Sequence, residues 1–217
     1  MKYQLITLIA IILTSCQSNT TSLSSYYNEE EIEAIDELVD FFTDQLCKGD
    51  YSQSELETKI DGILDSLNSG SNYLVELDNE LMNQKLRKSL ETLKSTTISN
   101  ECYAVDREND LKEAYFCLKS NSVYMDFLKH IGKKDKGVEK YRTTFEALGT
   151  ISPTAVGYII KNSKDHNYSK DIVTVIALHF IQLNSEKEAQ AKLQIGKPKL
   201  DVKESVSYTH LTLPTNA

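Results

Sequence analysis

Apolar residues recur at three- and four-residue steps along most of this chain, and that spacing predicts helices. From about Glu29 to Lys48, the residues Ile32, Ile35, Val39, Phe42 and Leu46 form one apolar face. Asn28 is placed to cap that helix, Glu29 to Glu31 suit the positive end of its dipole, and Gly49 offers a stop. The opposite face carries Glu33, Asp36, Glu37, Asp40 and Asp44. Carboxylates so spaced could gather a cation, but no Glu-x-x-His pattern accompanies them, so they read as a solvated face and no metal is expected.

A second helix is predicted from the Ser54 and Glu57 capping-box pattern, with Leu56, Ile60, Ile63, Leu64 and Leu67 inward. Asn68-Ser69-Gly70-Ser71 closes it. A longer third helix is expected over Asn72 to Lys94, its apolar stripe passing from Leu74, Leu77 and Leu81 to Met82, Leu86, Leu90 and Leu93. Ser95 to Asp106 is less regular. Leu111, Ala114, Tyr115 and Leu118 then predict a fourth helix over Arg107 to Lys119. Asp106, Glu108 and Asp110 hint at a calcium loop, but its glycine and terminal glutamate are missing.

Asn121 or Ser122 can cap a fifth helix through Val123, Phe127, Leu128 and Ile131, and a sixth covers Val138 to Leu148. Ser152-Pro153 starts a seventh through Ala155, Val156, Ile159 and Ile160. Ser169 opens the last, where Ile172 to Leu183 is almost wholly apolar. Its β-branched density fits a buried strand too, but its length and the helix formers over Glu186 to Lys192 favour a central helix. His179 is the polar residue that stands out within it, read as a hydrogen-bonded core histidine rather than a ligand or catalyst. Glycine and proline are scarce, which denies the chain the punctuation of short strands. The expected fold is all-α over 29–205, a multi-helix bundle or irregular helical-hairpin array of about seven to eight helices.

The two ends differ from this text. Met1 to Cys16 reads MKYQLITLIAIILTSC, with Lys2 ahead of a short apolar run and small residues before the cysteine. Leu13-Thr14-Ser15-Cys16 resembles the lipobox of bacterial lipoproteins. The resemblance implies a cleaved signal peptide at 1–15, lipidation of Cys16, and a membrane-anchored protein of the bacterial cell envelope. By the same analogy Gln17 after the cysteine implies the outer membrane, if the cell has one. A polar tether over 16–28 should follow the anchor. At the far end, Val206 to Thr215 reads VSYTHLTLPT, similar to a translated sequencing adapter, so 206–217 is set aside and the natural chain is expected to run on past Ser205.

Charge and chemistry narrow the function by exclusion. The formal charge is −8, and Lys2 is the only charge carried by the two set-aside ends. Such acidity argues against a nucleic-acid partner. Lys129, His130, Lys133, Lys134, Lys136, Lys140 and Arg142 form one basic neighbourhood, which could meet anionic headgroups but reads more simply as a lysine-rich loop. No zinc-protease, nucleophile-elbow, P-loop or dinucleotide motif is present, nor a Cys-x-x-Cys pair, and no cofactor is expected. Of Cys47, Cys102 and Cys117, a Cys102–Cys117 bridge is favoured, through a chain reversal near Asp106 that lays Cys102 back along the fourth helix. Cys47 is then a buried free thiol.

The expected activity is binding of another envelope protein or polymer through a groove between helices. Tyr103, Tyr115, Tyr124, Tyr141, Tyr158 and Tyr168 are the candidate contacts, since tyrosine offers rigid area with a polar tip. A hydrolase assembled from scattered residues, with His179 or His166 beside carboxylates, is the alternative; a structural spacer is the third.

Overall fold

Ser169 accepts a hydrogen bond from the amide of Ile172 and starts a 25-residue helix, Lys170–Gln194, around which the rest is packed. Every residue from Ile172 to Ser185 is buried, so this helix is wrapped on all sides. It is the last of eight α-helices among the described residues, which are 22–69, 75–163 and 168–195 of a computed structural model. We number them α1 (Glu29–Cys47), α2 (Gln53–Asn68), α3 (Asn79–Lys85), α4 (Arg87–Thr92), α5 (Val123–Gly132), α6 (Lys136–Leu148), α7 (Val156–Ser163) and α8 (Lys170–Gln194). A single β-hairpin, β1 (Ile98–Asp106) and β2 (Leu111–Leu118), interrupts the all-α array between α4 and α5. Cys16, Leu74, His166 and the segment 206–217 lie outside the described residues.

The apolar stripe of α1 meets α8 as its spacing requires. Ile35, Leu38, Val39, Phe42 and Leu46 are buried, and the Phe42 ring stacks on Phe180 of α8 at 5.8 Å between centroids. At the start of α1 a capping box closes: Asn28 accepts from the Glu31 amide at 3.0 Å, and Glu31 accepts from the Asn28 amide at 3.0 Å. Its far end turns through Lys48 and Gly49, both in the left-handed region at φ 62° and 117°. Asp36 on the outer face receives Lys170 at 2.8 Å, tying α1 to the first turn of α8. The cap of α2 is Ser52, two residues before the expected one, accepting from the Glu55 amide.

The long third helix expected over Asn72 to Lys94 is not formed as one piece. Val75 and Leu77 are buried outside any helix, and Asp78 caps the short α3 by accepting from the Leu81 amide at 3.0 Å. The chain breaks again at Leu86, which allows both Met82 and Leu90 to be buried. The reason sits on α8. Asn184 accepts from the Leu77 amide at 3.1 Å and donates to the Val75 carbonyl at 2.8 Å, partnering backbone groups that a helix would have used.

The helix expected over Arg107 to Lys119 is a larger correction, for the chain there forms the hairpin. Asp106 accepts from the Glu108 amide and from the Asn109 side chain, and Asp110 takes a positive φ of 51°. Both are turn chemistry, which reverses the chain across Arg107 to Asp110. The strands pair antiparallel from Asp106 opposite Leu111 to Ile98 opposite Leu118, with one irregularity between Ser99 and Cys102.

After the hairpin, α5, α6 and α7 pack as sequence neighbours and bury Tyr124, Phe127, Tyr141, Phe145 and Ile159 against the core. Gly137 is required by the approach of α6 to α7. A methyl group there would stand 2.4 Å from the carbonyl oxygen of Tyr158. Gly149 ends α6 at φ 70°, as a left-handed cap.

Candidate functional site: the stapled hairpin and its cleft

The hairpin is tied to α8 by hydrogen bonds and its two strands to each other by a disulfide. Gln182 and Ser185 of α8 accept from the amides of Leu118 and Phe116, at 2.8 and 3.2 Å. Those two amides face away from β1, so α8 covers the outer edge of β2 with side-chain acceptors. Cys102 and Cys117 are joined by a disulfide across the strands, with Cα atoms 6.1 Å apart. They occupy diagonal positions, since Cys102 stands opposite Tyr115 and Cys117 opposite Ser99. The chain reversal that brings them together is a strand turn, not a strand laid along a helix. Cys47 is a buried free thiol on α1, its pKa raised chiefly by burial.

The far side of the hairpin is uncovered. Tyr103 and Val105, on one face of β1, are 52 and 51 % exposed, and Leu111, on the other face opposite Asp106, is 50 % exposed. At the disulfide end of the hairpin a cleft of about 810 Å³ opens between the Ser95–Thr96 turn, the disulfide and the start of α5. Its lining is mainly hydroxyls and amides, including Ser99, Ser120, Asn121 and Ser122, with Val123 and Met125 as apolar contacts. The Thr96 hydroxyl is buried with no partner among the described residues. Lys119 does not act as a free amine, because its Nζ donates to the carbonyls of Lys94 and Ser95. Ser122 donates to the Lys119 carbonyl at 2.7 Å instead of capping α5. Such a lining can exchange hydrogen bonds with a polar ligand.

A second groove, about 640 Å³, lies between α1, the α1–α2 connection and the start of α8. Val39, Leu56 and Tyr51 give it apolar wall, and Asp40 and Lys170 line its rim. Burial, and then the neighbouring Asp36 and Asp44, raise the Asp40 carboxyl above its ordinary pKa.

The six candidate tyrosines do not share one surface. Tyr124 and Tyr141 are wholly buried, their pKa values raised by desolvation, and they belong to the aromatic core with Phe127 and Phe145. Tyr168 is also buried and donates to Asp61 at 2.6 Å. Tyr124 and Tyr141 are corrected from contact residues to packing residues, because a wholly buried ring offers a partner nothing; Tyr168 is nearly buried but lines the second groove. Tyr103 is exposed on β1, Tyr115 is half-buried on β2, and Tyr158 is exposed on α7 under the Lys140 ammonium at 5.7 Å. Only Tyr103 and Tyr115 lie on the hairpin.

His179 is fully buried and lines neither groove. Its Nε2 reaches the Pro153 carbonyl at 3.4 Å, which can only accept, so that nitrogen carries the proton and Nδ1 accepts from the Tyr141 hydroxyl at 3.3 Å. Burial lowers its pKa to about 4, so the ring is neutral at pH 7. Gln182, Asn184 and Ser185, which sequence reasoning passed over, matter more to the architecture than His179. Their one signal is polarity inside an apolar run, as His179 has too.

In the basic neighbourhood, Arg142 is paired with Glu139 and Glu146, at 2.8 and 2.7 Å. Among the described residues no cluster of His, Cys, Asp or Glu is arranged to hold a metal ion, and no helix is long and apolar enough to cross a membrane. Compared with known proteins, the chain matches no family model, no curated protein and no solved structure.

Proposed function

We propose that this chain is a lipid-anchored binding protein of the bacterial cell envelope. Cys16 carries the anchor, a polar tether follows, and the helical body presents the disulfide-stapled hairpin and its cleft to another envelope macromolecule. The observation that carries the reading is an exposed apolar pair on β1, Tyr103 and Val105, on a hairpin whose disulfide end lines a cleft of hydroxyls and amides. Apolar contact beside hydrogen-bonding groups is the composition of a recognition surface. The disulfide and the lipobox-like Leu13-Thr14-Ser15-Cys16 both fit an oxidising compartment outside the cytoplasm. The hydrolase reading would need His179 or His166 in a pocket with carboxylates; His179 is enclosed by Tyr141, Phe180 and Pro153 instead, and His166 lies outside the described residues.

Two measurements test the proposal. Cys16→Ser should move the protein from the membrane to the soluble fraction or leave its signal uncut, since stable attachment takes more than one acyl chain. A cut species that still fractionates with membranes contradicts the anchor. A photo-crosslinker placed at Tyr103 should capture a discrete envelope partner that the same probe at Tyr158 does not. Equal capture at both sites, or turnover in a hydrolase screen that survives loss of the hairpin face, contradicts the binding surface.

A further inference from the structure

The two edges of the hairpin are treated differently. The amides of Phe116 and Leu118 point to α8, so those of Tyr115 and Cys117 point to β1. In an antiparallel pair this makes Cys102–Tyr115, Ala104–Glu113 and Asp106–Leu111 the hydrogen-bonded positions. The backbone N–H and C=O groups of Tyr103 and Val105 therefore face outward from β1, and no partner for them occurs among the described residues. An uncovered edge with two exposed apolar side chains is a template for another strand.

The end of α8 lies at this edge. Gln190, Leu193 and Gln194 share a cavity of about 480 Å³ with Ala104 to Glu108, and Ile195, the last residue described, is 80 % exposed beside it. The chain that continues from there reads Gly196-Lys-Pro-Lys-Leu-Asp-Val-Lys203. Gly196 to Pro198 are turn residues, and Pro198, lacking an N–H, has to precede any ladder. Leu200 and Val202 alternate with Asp201 and Lys203, the period of a strand with one apolar face.

We propose that residues 199–203 dock on β1 as a third, antiparallel strand, with Val202 opposite Tyr103 and Leu200 opposite Val105. Five residues of strand span about 17 Å, the reach from Asp106 back to Cys102. The pairing satisfies the four outward backbone groups of Tyr103 and Val105 and sets Leu200 and Val202 beside their side chains. The exposed hairpin face becomes a three-stranded one. This goes beyond the proposed binding activity and does not depend on it.

Amide hydrogen exchange on the chain from residue 17 to Ser205 tests the proposal, read at Tyr103 and Val105. These two amides should exchange at least about a hundredfold more slowly than in an unstructured peptide. Val202→Pro, which removes one donor, and a chain ended at Ile195 should both release them, leaving Glu113 and Tyr115 protected. Free exchange at Tyr103 and Val105 in the parent chain overturns the proposal. So does protection that survives both variants; if it then falls on dilution, a second copy of the chain occupies the edge.

Discussion

The helical body and the hairpin are stabilised by different physics. In the body, α1, α5 to α7 and α8 bury whole aromatic and aliphatic side chains, such as Phe42, Phe127, Phe145 and Phe180. The hairpin buries Ile98, Ala104, Cys117 and Leu118, with Ile98 and Leu118 in the common core, but leaves Tyr103, Val105 and Leu111 half in water. Two strands alone are marginal, so it relies on a covalent link and on polar side chains lent by α8. The difference shows where a small protein can keep an apolar surface open. An element that gives the core only its base, at Ile98 and Leu118, is free to face a partner with the rest.

The largest expected effect breaks the body. Phe180→Ala removes a ring stacked on Phe42 and should cost about 3–5 kcal/mol by denaturant unfolding, with body and hairpin lost in one transition. Acid reaches the same core through His179. The folded ring resists protonation down to a pKa of about 4, while the unfolded ring titrates near its ordinary 6.5. Stability from this group is therefore complete above pH 6.5 and falls as pH drops toward 4, by up to about 3 kcal/mol. Comparing His179→Gln with the parent across that window isolates it, since the glutamine variant should lack this part of the slope.

The covalent link is the next way to separate the regions. Converting both Cys102 and Cys117 to alanine should cost the hairpin about 3 kcal/mol on the chain-entropy account, with the body's own unfolding little moved. Gln182→Leu should cost about 1–3 kcal/mol, because the buried Leu118 amide loses its acceptor. Smallest in stability is Tyr103→Ala, expected within about 0.5 kcal/mol of the parent. Its effect should instead appear as lost retention of the proposed envelope partner, which separates a contact residue from a packing one.

The body was legible in the sequence because its helices obey their own period. The stripe of α1, the Asn28 cap, the Ser169 cap and the all-apolar run of α8 each point to what formed. The hairpin was not, for a specific reason. Leu111, Ala114, Tyr115 and Leu118 satisfy a helical spacing by coincidence, while the turn at Asp106 to Asp110 resembles a capped helix start. Strand pairing is a non-local property, and the deciding partners are far away in the chain. Gln182 and Ser185 serve β2 amides 64 and 69 residues off, and Asn184 serves the Val75–Leu77 backbone 109 and 107 residues off. The same distance hid the site. Of the six tyrosines, burial sorted Tyr124, Tyr141 and Tyr168 inward, and no local pattern distinguishes them from Tyr103.

The hairpin should behave as a separately held element on a body that folds without it. Native-state hydrogen exchange on the Cys102→Ala/Cys117→Ala protein measures this directly. The account predicts that the cross-strand amides of Glu113 and Tyr115 lose protection by roughly a hundredfold, matching the disulfide's contribution, while core amides such as Phe42 and Ile176 keep theirs. Equal loss in α1, α8 and the hairpin would contradict it, for the hairpin would then be part of the same cooperative unit as the core.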